Sequence, residues 1–177
     1  DPLPDLVVVG NVCRPDHPEA RAAICRAIPV ASLPGVLAGL VLRNRRSLVV
    51  AGTHGKTTTS AMVVHLLESA GLAPGYLVGG RILSSASGTA PGRGRWFVLE
   101  GDEYDSAFFE KRAKFLGYEA HGLILTSVEH DHVDIYPTWD SYRWAFGRLV
   151  TGLPASGLLV ACADHPQVER IASRAPC

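Results

Sequence analysis

Short apolar runs alternate with amphipathic stretches along this chain, and glycine, proline and small polar residues mark the junctions. Residues 6–9 have strand character, and 18–27 carry the spacing of a helix. Ser32 reads as an N-cap, with Pro34 in the first turn of a helix that runs to about Arg43. A strand at 47–51 then enters a glycine-bounded turn. The helix after that turn has apolar residues at Met62, Val63, Leu66, Leu67 and Ala70, and closes on Gly71. Further strands are expected at 75–78, 96–99, 123–126 and 158–161, and further helices at 138–150 and 166–173. Residues 84–95, rich in Ser, Gly, Ala and Pro, read as a mobile loop. This alternation predicts an α/β fold with a mainly parallel sheet flanked by helices.

At 177 residues the chain can hold one domain with a good core and part of a second. Lys plus Arg and Asp plus Glu balance at 17 each, which argues against a nucleic-acid partner, whose footprint would be a basic excess. Arg43, Arg45 and Arg46 form the densest basic cluster and read as a solvated helix end. No apolar run reaches the roughly 18 residues of a membrane span, and no basic-then-apolar leader opens the chain. Cys13, Cys25, Cys162 and Cys177 show no C-x-x-C spacing, so free thiols in a reducing cytoplasm are expected.

The candidate chemistry begins where the strand at 47–51 runs into Gly52-Thr53-His54-Gly55-Lys56-Thr57-Thr58. A strand, a glycine turn and a helix start build a phosphate cradle: glycines let the backbone approach an anion, and N–H groups at the positive end of the helix dipole point at it. Lys56 would reach the terminal phosphates and the Thr57 hydroxyl would ligate Mg²⁺. The loop is shorter than the general pattern, with only Thr53 and His54 between its glycines, so a bare tight turn is the bland alternative.

Two other strands end in acidic clusters, Glu100-Gly101-Asp102-Glu103 and Glu129-His130-Asp131-His132-Val133-Asp134. In open α/β sheets ligands bind beyond the carboxyl ends of the strands. Glu100 suits a metal that bridges phosphate oxygens; Asp102 and Glu103 either assist or cap a following helix. His130 and His132 at i, i+2 would share one side of a strand, which raises zinc, although no third ligand is evident.

Taken in order, Gly52 to Thr57, Glu100 to Glu103 and Thr126-Ser127-Val128-Glu129-His130-Asp131-His132-Val133-Asp134 resemble the three signatures of the Mur ligase family, G-T-x-G-K-T, E-[AS]-D-E and T-N-x-E-x-D-H-x-D. The resemblance covers nearly the whole chain and implies the family's P-loop-containing central, ATP-binding domain at 47–177, incomplete, after the tail of a UDP-binding domain at 1–46. It implies no C-terminal acceptor-binding domain within these residues, and hence no ligation by them alone. Gly52, Thr53, His54, Gly55, Lys56, Thr57 and Thr58 would hold ATP. Lys56 would stabilise the transferring phosphoryl group, Thr57 and Glu100 would hold a first Mg²⁺, and His132 a second metal. Ser127 stands where the family has Asn, which puts one polar contact in doubt.

The run from Glu103-Tyr104-Asp105 to Phe108-Phe109-Glu110-Lys111-Arg112 is similar to the peptide-recycling branch of the family. That branch joins UDP-N-acetylmuramate to the tripeptide L-Ala-γ-D-Glu-meso-diaminopimelate through an acyl phosphate, in the cytoplasm; the L-alanine-adding branch is the alternative. Branches that use a carbamylated lysine fit less well, since no lysine follows His132. Lys111 and Arg112 would meet substrate anions or lie on a solvated face. Two readings from outside the family stay open: a small P-loop kinase or phosphohydrolase, and a non-catalytic nucleotide-binding module.

Overall fold

The computed structural model describes residues 2–82 and 87–177. A six-stranded sheet of order β10-β9-β3-β6-β4-β5 forms its centre. It contains β3 (Arg46–Ala51), β4 (Gly75–Ile82), β5 (Ser87–Ala90), β6 (Trp96–Gly101), β9 (Gly122–Leu125) and β10 (Leu158–Ala161). All neighbours run parallel except β5, which pairs antiparallel with β4 at one edge. The expected mainly parallel α/β architecture is therefore present.

Strand β3 has five consecutive buried residues, Ser47 to Ala51, as a strand covered on both faces must. Its alternate side chains feed two cores. Val49 and Ala51 join Leu99, Leu123, Phe115 and Phe146 beneath α4 (Trp139–Thr151) and α5 (Pro166–Ala172). Val50 joins Val98, Tyr76 and Val78 beneath α3 (Lys56–Ser69).

Helix α3 ends as anticipated. Gly71 lies at φ +72°, with Gly71 N–H donating to Glu68 O and Leu72 N–H to Leu67 O, a Schellman closure. Its buried stripe differs from the expected one. Ser60 and Val64 face the sheet, while Met62 and Leu66 are 60% and 66% exposed. The apolar residues of α3 lie on more than one face, so their spacing could not choose between faces.

Helix α4 starts on a capping box: Thr138 Oγ1 accepts from Ser141 N, and Ser141 Oγ meets the Thr138 backbone. At the amino end, β1 (Val7–Val9) and β2 (Val30–Ser32) form a separate parallel pair bridged by α1 (Pro18–Cys25). The helix expected from Ser32 begins as α2 (Leu33–Val36), capped by Ser32 Oγ, but continues to Leu42 as a π-helical stretch. Arg45 and Arg46 are pinned rather than solvated. Arg45 donates to Pro91 O and Gly92 O and lies over Phe97, and Arg46 lies over Trp96.

Other corrections concern short elements. Of the expected loop at 84–95, residues 84–86 lie outside the described residues, while 87–90 form β5, where small residues pair at a sheet edge. No helix follows Glu103. A hairpin of β7 (Asp105–Ala107) and β8 (Glu110–Ala113) does, then a 3-10 turn at Lys114–Tyr118, so the helix-capping reading of Asp102 and Glu103 falls. The four cysteines are free. Among the described residues no helix is long and apolar enough to cross a membrane.

Candidate active site

Registers place Ala51 beside Gly101 on one side and Leu125 on the other. The carboxyl ends of β3, β6 and β9 therefore meet, and the three signature segments leave the sheet side by side. Gly52 is in close packing there: with φ +145°, a Cβ would fall 2.1 Å from Thr126 Oγ1. Gly55, at φ +79°, turns the chain into α3.

The third segment clamps the loop from outside. Thr53 N–H donates to Ser127 O (2.9 Å) and His54 N–H to Ser127 Oγ (2.9 Å). Thr53 Oγ1 accepts from Glu129 N–H, donates to Glu129 O and stands 3.1 Å from Tyr142 Oη on α4. Thr126 Oγ1 donates to His54 O. Ser127, which replaces the family Asn, is thus buried against the loop backbone. Because Ser127 occupies the N–H groups of Thr53 and His54, the donors left for an anion are those of the first turn of α3, which have no intrahelical acceptor.

Two polar groups meet around a cavity of about 350 Å³, lined among others by Lys56, Glu100, Glu103, Tyr104, Lys114 and His132. In the first, Thr57 Oγ1 donates to Glu100 Oε1 (2.8 Å), and Gly79 N–H holds Glu100 Oε2 (2.7 Å). In the second, Lys56 Nζ donates to Gly52 O (2.7 Å), Thr53 O (3.2 Å) and Glu103 Oε1 (3.1 Å), while His132 Nε2 lies 3.0 Å from the same Glu103 oxygen. Tyr104 Oη is 2.8 Å from His132 Nδ1. Tyr136 Oη donates to Glu103 O (2.6 Å). Burial, then the carboxylates of Asp134, Asp102, Glu103 and Asp131, raise the Tyr104 pKa above its ordinary 10.0, so the phenol stays protonated.

Lys56, Glu100 and His132 thus line one cavity, with Thr57 hydrogen-bonded to Glu100. His54 is exposed, 3.6 Å from Glu129. Thr57 and Thr58 both line a second cavity, with Met62, His65 and Arg81. His130 and His132 do not share a strand face. They sit in a loop, His130 Nε2 against Tyr136 O and His132 at φ +54° facing Glu103, which removes the zinc reading. Among the described residues no three His, Cys, Asp or Glu form a metal cage. The Thr57–Glu100 pair offers oxygens and leaves coordination positions for phosphate and water, which fits Mg²⁺; the second group offers one carboxylate, Glu103, and the His132 imidazole. Buried Glu103 Oε2 makes no hydrogen bond of good geometry and lies 3.0 Å from Lys56 Nζ in the ion pair. Lys111 and Arg112 are neutralised within the hairpin by Asp105 (2.8 Å) and Glu110 (2.6 Å).

Glu103 is the residue that sequence reasoning undervalued. Its place in the second signature is a signal, but its burial beside Lys56, His132 and Tyr136 joins segments far apart in sequence.

The Mur ligase middle domain family model matches residues 50–177. The chain belongs to the Mur ligase family. Among relatives, the UDP-N-acetylmuramate–L-alanyl-γ-D-glutamyl-meso-2,6-diaminoheptandioate ligase of Escherichia coli K12 is 41% identical over 160 residues, 90% of this chain and 35% of its own. The UDP-N-acetylmuramate–L-alanine ligase of Maricaulis maris is 38% identical over 168 residues, 95% of this chain and 34% of its own. In solved structures, the UDP-N-acetylmuramate:L-alanyl-γ-D-glutamyl-meso-diaminopimelate ligase of Neisseria meningitides superposes with TM-score 0.87 at 36% identity, over 96% of this chain and 55% of that one. This Mur ligase chain thus spans about a third of the length of the curated relatives it matches.

Proposed function

We propose that this chain carries the ATP site of a ligase that joins UDP-N-acetylmuramate to L-Ala-γ-D-Glu-meso-diaminopimelate for cell-wall peptide recycling. The observation that carries the reading is that Lys56, Glu100, Glu103 and His132 line one cavity at the end of β3, with Thr57 hydrogen-bonded to Glu100 beside it. That set suits phosphoryl transfer to a carboxylate, where the protein positions and neutralises charge rather than forming covalent bonds. A free carboxylate is a poor electrophile; as an acyl phosphate it gains a good leaving group. The acceptor amine attacks its carbonyl, the tetrahedral species collapses, and phosphate departs.

Each residue has a distinct part. First-turn N–H groups of α3 hold the β- and γ-phosphates, and Lys56 leaves its loop carbonyls to meet the charge that develops on the transferring group. Thr57 and Glu100 would hold one Mg²⁺, and His132 with Glu103 a second. Bound there, magnesium neutralises phosphate oxygens. We assign residues 1–46 to the donor-binding portion and 47–177 to the ATP-binding portion; acceptor contacts lie elsewhere, so these residues alone do not ligate. A cytoplasmic location follows from the need for ATP and a nucleotide sugar.

The relatives that add L-alanine match nearly as well, so an L-alanine ligase is the second reading. The test is Mg·ATP-dependent phosphate release with UDP-N-acetylmuramate and either the tripeptide or L-alanine, on this chain and on the product of its complete open reading frame. Release by the complete product with tripeptide alone supports the first reading, and release with L-alanine alone the second. Ligation by the 177 residues would overturn the division of parts, and silence from a complete product that binds nucleotide would overturn both readings.

A further inference from the structure

His132 is held from two sides by neighbours in sequence. Its backbone is tied by a carbonyl that accepts from Ile135 and Tyr136 N–H (2.9 and 2.8 Å), at φ +54°, so the remaining freedom is that of the imidazole ring. Glu103 Oε1 lies 3.0 Å from Nε2, and Tyr104 Oη lies 2.8 Å from Nδ1. The phenol also packs on the imidazole, with ring centroids 4.5 Å apart and planes tilted by 57°. One step of chain, Glu103-Tyr104, therefore grips both ring nitrogens.

Glu103, when ionised, only accepts, whereas the Tyr104 hydroxyl can donate to Nδ1 or accept from it, according to where the ring carries hydrogen. When Nε2 instead meets a cation, the proton must sit on Nδ1, and the same phenol oxygen can accept it. A hydroxyl serves both tautomers; a carboxylate or a hydrocarbon at 104 would not.

We propose that Tyr104 is a positioning residue for His132, fixing the plane of the imidazole and aiming Nε2 at Glu103 and the phosphate side of the cavity in either tautomer. Tyr104 acts through His132. The proposal rests on reading this cavity as the phosphoryl-transfer site, and it is independent of which acceptor is used.

Two measurements test it. The first needs neither nucleotide nor metal: long-range ¹H–¹⁵N correlation spectra of His132 in this chain. Wild type should show one sharp set of imidazole resonances, as for a ring held in one plane. Tyr104→Phe keeps the stacked ring and should broaden or double that set; replacing the phenol by its 3-fluoro analogue, which keeps the hydroxyl, should restore the single set. An unchanged spectrum in Tyr104→Phe overturns the proposal. The second uses the complete open reading frame, where Tyr104→Phe should lower kcat about tenfold with KM for ATP within about twofold, in the range seen when a partner of a ligating histidine is lost. An unaltered kcat also overturns it. A spectrum altered by Tyr104→Phe, together with a wild-type complete protein that never turns over, would instead sink the ligase reading and leave the positioning role standing.

Discussion

Lys56 Nζ stands 3.0 Å from the Glu103 carboxylate, across 47 positions of sequence, and Glu103 is 1% exposed. The pair ties the phosphate loop to the end of β6. Removing the lysine alone strands a buried charge, at about 3–5 kcal/mol for a broken buried pair. Lys56→Ala should therefore destabilise the chain by that order, whereas Lys56→Ala in a Glu103→Gln background should cost much less. Urea denaturation of the four proteins measures the coupling. Additivity within about 0.5 kcal/mol would mean that the two residues do not support each other.

Thr57 and Glu100 form the neighbouring pair, with both Glu100 oxygens already aimed by Thr57 and Gly79. If they hold the metal that accompanies ATP, Glu100→Gln should weaken Mg·ATP binding at least tenfold and leave metal-free ATP binding nearly unchanged, because one anionic ligand is lost and the first-turn N–H groups are not. Calorimetric titration with Mg²⁺ and with chelator separates the two. Equal losses under both conditions would place Glu100 outside the metal site.

The phosphate loop and the architecture around it were legible because both are written locally. Strand β3 is a continuous apolar run, Gly52 and Gly55 bracket the turn, and the Lys56-Thr57 step opens a helix. What escaped depends on distant packing. The Glu103 carboxylate is buried beside Lys56 and His132, which stand far from it in sequence, and three-residue strands such as β2 and β7 carry too few positions for any period to register. Met62 and Leu66 looked like core because a helix with apolar residues on several faces does not say which one the sheet covers. His130 and His132 looked paired because spacing assumes a strand, and the left-handed turn at His132 separates them.

Gly80 lies where β4 passes the start of α3, and a Cβ added there would come within 2.7 Å of Thr57 Cγ2. The methyl of a β-branched residue in a helix has little freedom to yield. Gly80→Ala should therefore push Thr57 away from Glu100. The expected outcome is a modest stability loss, about 1–3 kcal/mol for an overpacked site, with a larger fall in Mg·ATP affinity than in metal-free ATP affinity. Gly52→Ala is harsher, since its φ of +145° and the 2.1 Å approach to Thr126 Oγ1 leave no room for a side chain. It should abolish nucleotide binding and lower the melting temperature, and a Gly52→Ala protein that binds ATP normally would show that the loop can be rebuilt.

Ser32 joins the amino-terminal segment to the hairpin. Its Oγ caps α2 by accepting from Gly35 N–H (3.2 Å) and itself donates to the Glu110 carboxylate. Burial raises the Glu110 pKa, but the bonds from Ser32 and Arg112 outweigh it and hold the group below its ordinary 4.5. A carboxylate with a depressed folded pKa contributes stability that is present above about pH 4.5 and is lost as pH falls through the folded value. Ser32→Ala should cost about 1 kcal/mol near neutrality through the lost cap, with the Glu110 partner lost as well. The gap between wild type and Ser32→Ala should narrow as pH falls below that range, because protonated Glu110 no longer draws on the hydroxyl, while the cap contribution persists. Denaturation midpoints for both proteins from pH 7 down through the carboxylate range read this directly. A gap that stays constant with pH would leave the cap as the whole of the Ser32 contribution and remove Glu110 from the account of how the segment is held.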